Sequence, residues 1–293
     1  MEYSLRGKRK EQLTAYLFLA PALLIIATFV LFPILKLFYL GFTDNQLIGK
    51  TTNFVGLANF TRAFGDPLFI KSMGNAGYFS IVVVPVQTFL AMIVAVIANY
   101  KLRGFKYFQT IYFFPVVTSF VSVCIIWRLM YDGSFGLVSS VLQAVGINNQ
   151  GFLTNPDTAM NAMIVTCIWK SFGYYMTIFL AGLQQIPGEI YESSQIDGVN
   201  FWTKFIYITF PMLKKTTLFV LVITTIDAMR IYIPAFVMTS GGPMDSTNVI
   251  VYHIWITAFK LMDVGYASAM ALLLFVVIML ITALQFRVMQ DDK

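Results

Sequence analysis

Residues Glu189–Pro211 read EIYESSQIDGVNFWTKFIYITFP. The stretch holds Glu189, Glu192 and Asp197, together with an Asp-Gly step, and it separates two long apolar runs. Pro187-Gly188, just before it, has the chemistry of a turn that ends the preceding helix. Glu189 and Glu192 then fall in the first turn of a short helix, where carboxylates complement the positive end of the peptide dipoles. Asp197-Gly198 stops that helix, because glycine adopts a backbone conformation that other residues resist. Asn200 is placed to cap a second short helix carrying Phe201, Trp202 and Phe205. The expected local structure is two short helices meeting at a glycine corner, with acidic residues on offer.

The surrounding composition fixes the environment. The chain has 293 residues, of which 58% are hydrophobic and 12% charged, and its mean hydropathy is +0.74. A soluble domain carries about 25% charged residues, so this chain reads as a polytopic, all-α integral membrane protein. Six spans are expected, at about 15–42, 72–100, 107–131, 158–185, 205–237 and 264–288 within a single membrane domain covering 1–293. A helix needs roughly 20 apolar residues to cross the hydrocarbon core. The first and fifth runs exceed that and are expected to tilt or to extend beyond the bilayer. Pro21, Pro33, Pro85, Pro115 and Pro234 predict kinks, since neighbouring helices can satisfy the freed backbone groups. The basic start MEYSLRGKRKEQLTAY runs into the first span and reads as part of a helix that stays in place.

Charge gives the orientation. Arg6, Lys8, Lys101, Arg103, Lys204, Lys214, Lys215 and Arg287 fall on one side, whereas the opposite loops hold only Lys50, Arg62, Lys71 and Lys260 among several aspartates. The excess of basic residues marks the cytoplasmic side, with both termini and the loop at about 186–204 on it. The net charge of +6 therefore reflects membrane topology and does not point to nucleic acid. Cys124 and Cys167 lie in apolar runs and read as packing residues. His253 is the only histidine, which argues against zinc or haem. A linker lying on anionic headgroups would present a basic polar face; the acidic knob at Glu189–Asp197 suits docking to a protein instead.

These residues resemble the cytoplasmic motif of the membrane subunit of binding-protein-dependent ABC importers. That motif runs Glu-Ala-Ala, three residues, Gly, nine residues, Ile, one residue, Leu-Pro. Here the same spacing holds Glu192-Ser193-Ser194, Gly198, Ile208 and Phe210-Pro211, with small residues replacing small ones and Phe replacing Leu. The stretches IWKSFGYYMTIFLAGLQQIPGEIYESSQIDG and MTSGGPMDSTNVIVYHIWITAFKLMDVGYASAMALLLF are similar to the carbohydrate-type subfamily. The resemblance implies a type I importer permease core of six transmembrane helices. In it, Glu189, Glu192, Ser193, Ser194, Asp197 and Gly198 form the coupling helix that docks on an ATPase. It also implies a second, non-identical permease, two ATPase subunits and an external substrate-binding protein as partners, with membrane lipid around them. The chain itself needs no cofactor, ATP and Mg belonging to the ATPase.

Two look-alikes carry no ATP site. GKTT at Gly49 has Asp44 where a P-loop needs its first glycine, and SGGP at Ser240 lies in an outer loop. Ionisable residues within spans cost about 2.5–3.5 kcal/mol on insertion scales, which makes them candidates for function. Lys36 and Arg128 lie near span ends and read as snorkelling. Trp169, Lys170 and Tyr174 on the fourth span, with Asp227, Arg230 and Tyr232 on the fifth, form a candidate substrate pathway. Aromatic faces suit sugar rings and charged groups suit hydroxyls. Asp227 and Arg230, three residues apart, could equally neutralise each other. The segment NVIVYHIWITAFK is expected to form an outer interfacial helix, either an anchor or a contact for the binding protein. The readings in play are an ATP-driven carbohydrate importer, the same machine with an anionic cargo such as glycerol phosphate or an acidic saccharide, and an ion-coupled secondary transporter using Asp227. A membrane enzyme would need a clustered catalytic set that the scattered carboxylates and single histidine do not offer.

Overall fold

The computed structural model describes residues 2–49, 52–99, 105–144, 146, 151–196 and 198–290. Lys50, Lys101, Arg103 and Asp197, used in the charge and loop readings above, lie outside the described residues. The helices in chain order are α1 (Glu2–Ile26), α2 (Phe32–Gly41), α3 (Ala58–Gly65), α4 (Pro67–Asn99), α5 (Phe105–Val117), α6 (Phe120–Met130) and α7 (Leu137–Ala144). They continue as α8 (Pro156–Gln184), α9 (Gly188–Ile196), α10 (Phe201–Lys204), α11 (Phe210–Met212), α12 (Lys214–Met229), α13 (Ile250–Trp255) and α14 (Val264–Gln290). A π turn at Ala27–Leu31 joins α1 to α2, and another at Phe205–Thr209 joins α10 to α11. Among the described residues there is no β-strand, only the isolated bridges Thr43–Phe54 and Gln46–Asp263.

Among the described residues, four helical runs are long and apolar enough to cross a membrane: Thr14–Gly41, Pro67–Asn99, Pro156–Gln184 and Val264–Val288. The other two expected spans are each a bent pair. Ile111–Val117 meets Phe120–Met130 at 110°, and Phe201–Met212 meets Lys214–Met229 at 72°. The first bend follows Pro115, which has no N–H to give its helix. There Thr118 turns its hydroxyl back onto the Pro115 carbonyl at 2.7 Å, and Ser119 is extended at φ −57° and ψ 129°. The second bend falls at Leu213, just after Pro211. α12 ends at Met229, where the Arg230 N–H reaches the Ile226 carbonyl at 3.1 Å, so Pro234 lies beyond the helix and does not kink it.

The described chain divides into two compact units. In the unit of residues up to 65 with 255–273, Asn59 donates to the Gly41 and Thr43 carbonyls at 3.1 and 2.8 Å. Gly265 packs so close to the Thr43 carbonyl that a side chain's first carbon would lie 2.1 Å from its oxygen. Arg62 pairs with Asp263 at 2.7 Å and lies 3.9 Å over the Tyr266 ring. The Gly-Tyr-Ala-Ser-Ala-Met-Ala stretch from Gly265 is thus small where backbone meets backbone.

In the unit of residues 66–254 with 274 onward, α4 and α8 run against each other, and α5 and α12 close on them. Ala91, Met92, Ala95 and Val96 of α4 pack with Tyr175, Met176, Phe179 and Leu183 of α8, joined by Leu213 and Val220. Between membrane helices, small residues permit the close approach on which packing depends, because lipid is as apolar as the side chains. On α13, His253 is buried, with Nε2 3.8 Å from an Asp66 carboxylate oxygen. Burial holds His253 below its ordinary value of 6.5, against the opposing pull of Asp66 and Asp245.

Candidate functional site: a cavity in the helix bundle and an acidic loop

Cys167, Ser171 and Tyr175 recur at intervals of four along α8 and so share one face. That face lines a cavity of about 450 Å³, together with Phe79 and Gln87 of α4, Phe120 of α6, and Thr224 and Asp227 of α12. Arg230, Ile231, Tyr232 and Ile233, just past the end of α12, complete the wall. Within it the Tyr175 hydroxyl donates to Asp227 at 2.8 Å. Asp227 and Arg230 form no ion pair among the described residues; each lines the cavity separately.

The sequence-derived pathway divides in two. Asp227, Arg230 and Tyr232 line the cavity. Trp169 and Tyr174 do not: Trp169 packs edge-on against Trp127 with ring centres 5.5 Å apart, and Tyr174 against Tyr175 at 5.2 Å, both half-exposed. Lys170 is buried and donates to the Val116 carbonyl at 2.9 Å, outside the lining. Gln87, Ser171, Tyr175 and Thr224 escape a search restricted to charges. Their signal is neutral polarity inside a span, repeated at helical spacing.

The acidic loop follows from its own sequence. α8 ends with the Gln185 N–H on the Gly182 carbonyl at 3.2 Å, and α9 starts at Gly188 with Glu189 in its first turn. Gly198 takes φ +68°, a left-handed conformation that costs non-glycine residues energy. Asn200 then accepts from the Thr203 N–H at 2.8 Å and starts α10. Glu189, Glu192 and Ser193 are exposed, whereas Ser194 is buried with its hydroxyl on the Tyr191 carbonyl at 2.8 Å. Tyr191 in turn lies 3.4 Å from the Thr209 hydroxyl. Among its described residues the loop therefore presents Glu189 and Glu192 outward and uses Ser194 for its own packing.

Residues 81–290 match the model of the binding-protein-dependent transport system inner membrane components. The chain belongs to this family. The permease is 33% identical over 292 residues to the lactose transport system permease protein of Rhizobium radiobacter, covering 98% of this chain and 97% of that one. It is 31% identical over 281 residues to the trehalose/maltose transport system permease protein of Thermococcus litoralis, covering 96% and 95%. To the sulfoquinovosyl glycerol transport system permease protein of Agrobacterium fabrum it is 30% identical over 283 residues, covering 96% and 91%. Its fold matches that of a chain in the crystal structure of a bacterial ABC transporter involved in import of the acidic polysaccharide alginate, with TM-score 0.86, 23% identity and 99% of each chain covered. The permease is thus an all-α, multi-pass membrane subunit with the type I importer core.

Proposed function

We propose that this permease is one half of a pair that imports a carbohydrate, with the α4–α8–α12 cavity as its share of the pathway. The lining carries the proposal: Gln87, Ser171, Thr224, Asp227 and Arg230 offer donors and acceptors beside the aromatic faces of Phe79, Phe120, Tyr175 and Tyr232. A pyranose ring presents the same mixture, with hydroxyls at its edge and C–H groups on its faces. The relatives named for lactose and for trehalose/maltose support a saccharide cargo. In this reading both termini are cytoplasmic, and Glu189, Glu192 and Gly198 form the surface that docks on an ATPase. Asp197, outside the described residues, belongs to the same stretch. ATP and Mg are held by two ATPase subunits, and an external binding protein delivers the cargo to this chain and a second, non-identical permease. ATP and the loaded binding protein would then favour one arrangement of the pair by differential binding.

The test is uptake of labelled oligosaccharides into vesicles holding the full complex, with and without ATP. Asp227→Asn and Arg230→Gln should raise KM for cargo while leaving ATP hydrolysis in the absence of cargo unchanged. Uptake by this chain alone without ATP would replace the proposal with an ion-coupled transporter. A second reading rests on Arg230, a cation in the lining, and on the relative named for sulfoquinovosyl glycerol. With an anionic saccharide as cargo, Arg230→Gln would abolish uptake and Asp227→Asn would improve it.

A further inference from the structure

We propose that Lys170 is a positioning residue: it holds the break between α5 and α6 and thereby sets Phe120 in the cavity wall. The proposal rests on the cavity being the cargo pathway. At a 110° break the last carbonyls of α5 lose the partners that a continuous helix would supply. Two of them are met from nearby. The Thr118 hydroxyl takes the Pro115 carbonyl at 2.7 Å, and the Lys170 ammonium takes that of Val116 at 2.9 Å. A cation there also complements the negative end of α5.

Burying an amine in a membrane bundle is costly, so a buried lysine calls for a partner that offsets the cost, and here that partner is the Val116 carbonyl. Methionine would fill the same volume without that cost. On α8, one turn after Lys170, Gly173 meets the Tyr112 carbonyl so closely that a first side-chain carbon would sit 2.2 Å from its oxygen. α8 therefore grips α5 at two points, and the second, Lys170, lies at the break itself. The Lys170 ammonium is also 5.8 Å from the centre of the Phe120 ring, within reach of the ring's negative face. Phe120 is the first residue of α6 and lines the cavity. One ammonium thus touches the end of one helix and the first side chain of the next. Lys170 reaches the cargo through Phe120 and not by direct contact.

The experiment uses the assembled transporter in lipid nanodiscs, with spin labels at Phe114→Cys on α5 and Ile126→Cys on α6, both exposed, and with Cys124 and Cys167 replaced by alanine. Lys170→Met should broaden the distance distribution between the labels and raise KM for cargo about fivefold to tenfold, as expected for loss of one aromatic wall. Lys170→Arg should keep a narrow distribution. Phe120→Ala should raise KM similarly with the distances unchanged. If Lys170→Met leaves the distances as they were, the proposal is overturned, and a KM effect without a distance effect would make Lys170 a direct cargo contact. If Phe120→Ala and Asp227→Asn both leave KM unchanged, the cavity reading itself fails, whereas the label distances still report on what Lys170 holds.

Discussion

Asp227 illustrates how a carboxylate is accommodated within a span with, among the described residues, a hydroxyl and no ion pair as its partner. Its hydrogen bond comes from Tyr175, and its other face is left to the cavity. Gly173 shows a second constraint of single-residue size. Adding one methyl group drives it into the Tyr112 carbonyl, which belongs to backbone and cannot rotate away. Gly173→Ala should therefore cost about 1–3 kcal/mol by overpacking, read as a lower midpoint in thermal unfolding of the nanodisc-held permease. Alanine at Gly74, also inside a helix but with nothing beyond its own local chain within 4 Å of the added carbon, is the matched control and should hold or raise the midpoint. His253 sets a pH dependence on its own. Because burial lowers its folded value, the unfolded chain binds the extra proton first, and stability falls as pH drops through 6.5 toward the folded value. Thermal unfolding between pH 7.5 and 5 should show that fall, and His253→Gln should flatten it. An unchanged slope in the variant would assign the pH dependence to other groups.

The apolar runs were legible in the sequence, including those of the two bent pairs, and the sharp bends themselves were not. Apolar runs at Thr14–Gly41, Pro67–Asn99, Pro156–Gln184 and Val264–Val288 announce themselves by length. A 110° bend does not, because hydropathy is blind to direction, and Pro115 signals a kink without its angle. The cavity was only half readable for a related reason. Charges stand out against an apolar background, so Asp227 and Arg230 were found, whereas Gln87 on α4 and Thr224 on α12 become neighbours only once the helices pack. Lys170 stood out equally well and proved to serve the backbone of another helix. The acidic loop was the most legible element, since turn and cap chemistry is local: the Gly198 corner and the Asn200 cap lie where the residues put them. Asn200→Ala should release about 1 kcal/mol at the start of α10. Amide exchange at Thr203 should then rise roughly fivefold, with α8 unaffected; exchange unchanged at Thr203 would show that tertiary packing alone fixes α10.

For the molecule as a whole, the proposed function asks how an event at a loop would become motion in a bundle. α9 is short, and Tyr191 ties it to the bent fifth span through the Thr209 hydroxyl at 3.4 Å. From there Leu213 and Val220 enter the same packed cluster as Tyr175, whose hydroxyl holds Asp227 in the cavity. A contiguous path of packed side chains therefore joins the acidic loop to the cavity wall within one compact unit. Glu192 lies at the outer end of that path, exposed, while Ser194 beside it is buried. A charge reversal at Glu192 leaves the loop's internal hydrogen bonds intact and alters only what it presents. Glu192→Lys should therefore insert normally, fold with an unchanged melting midpoint and still recover the second permease in a mild-detergent pull-down. ATPase recovery and ATP-dependent uptake should both fall at least about tenfold, in line with loss of a charge pair across a docked surface. If the variant keeps its ATPase and loses uptake, Glu192 transmits motion without supplying affinity. If it keeps both, the docking surface lies elsewhere, and the exposed carboxylates of α9 serve only to keep that helix in water.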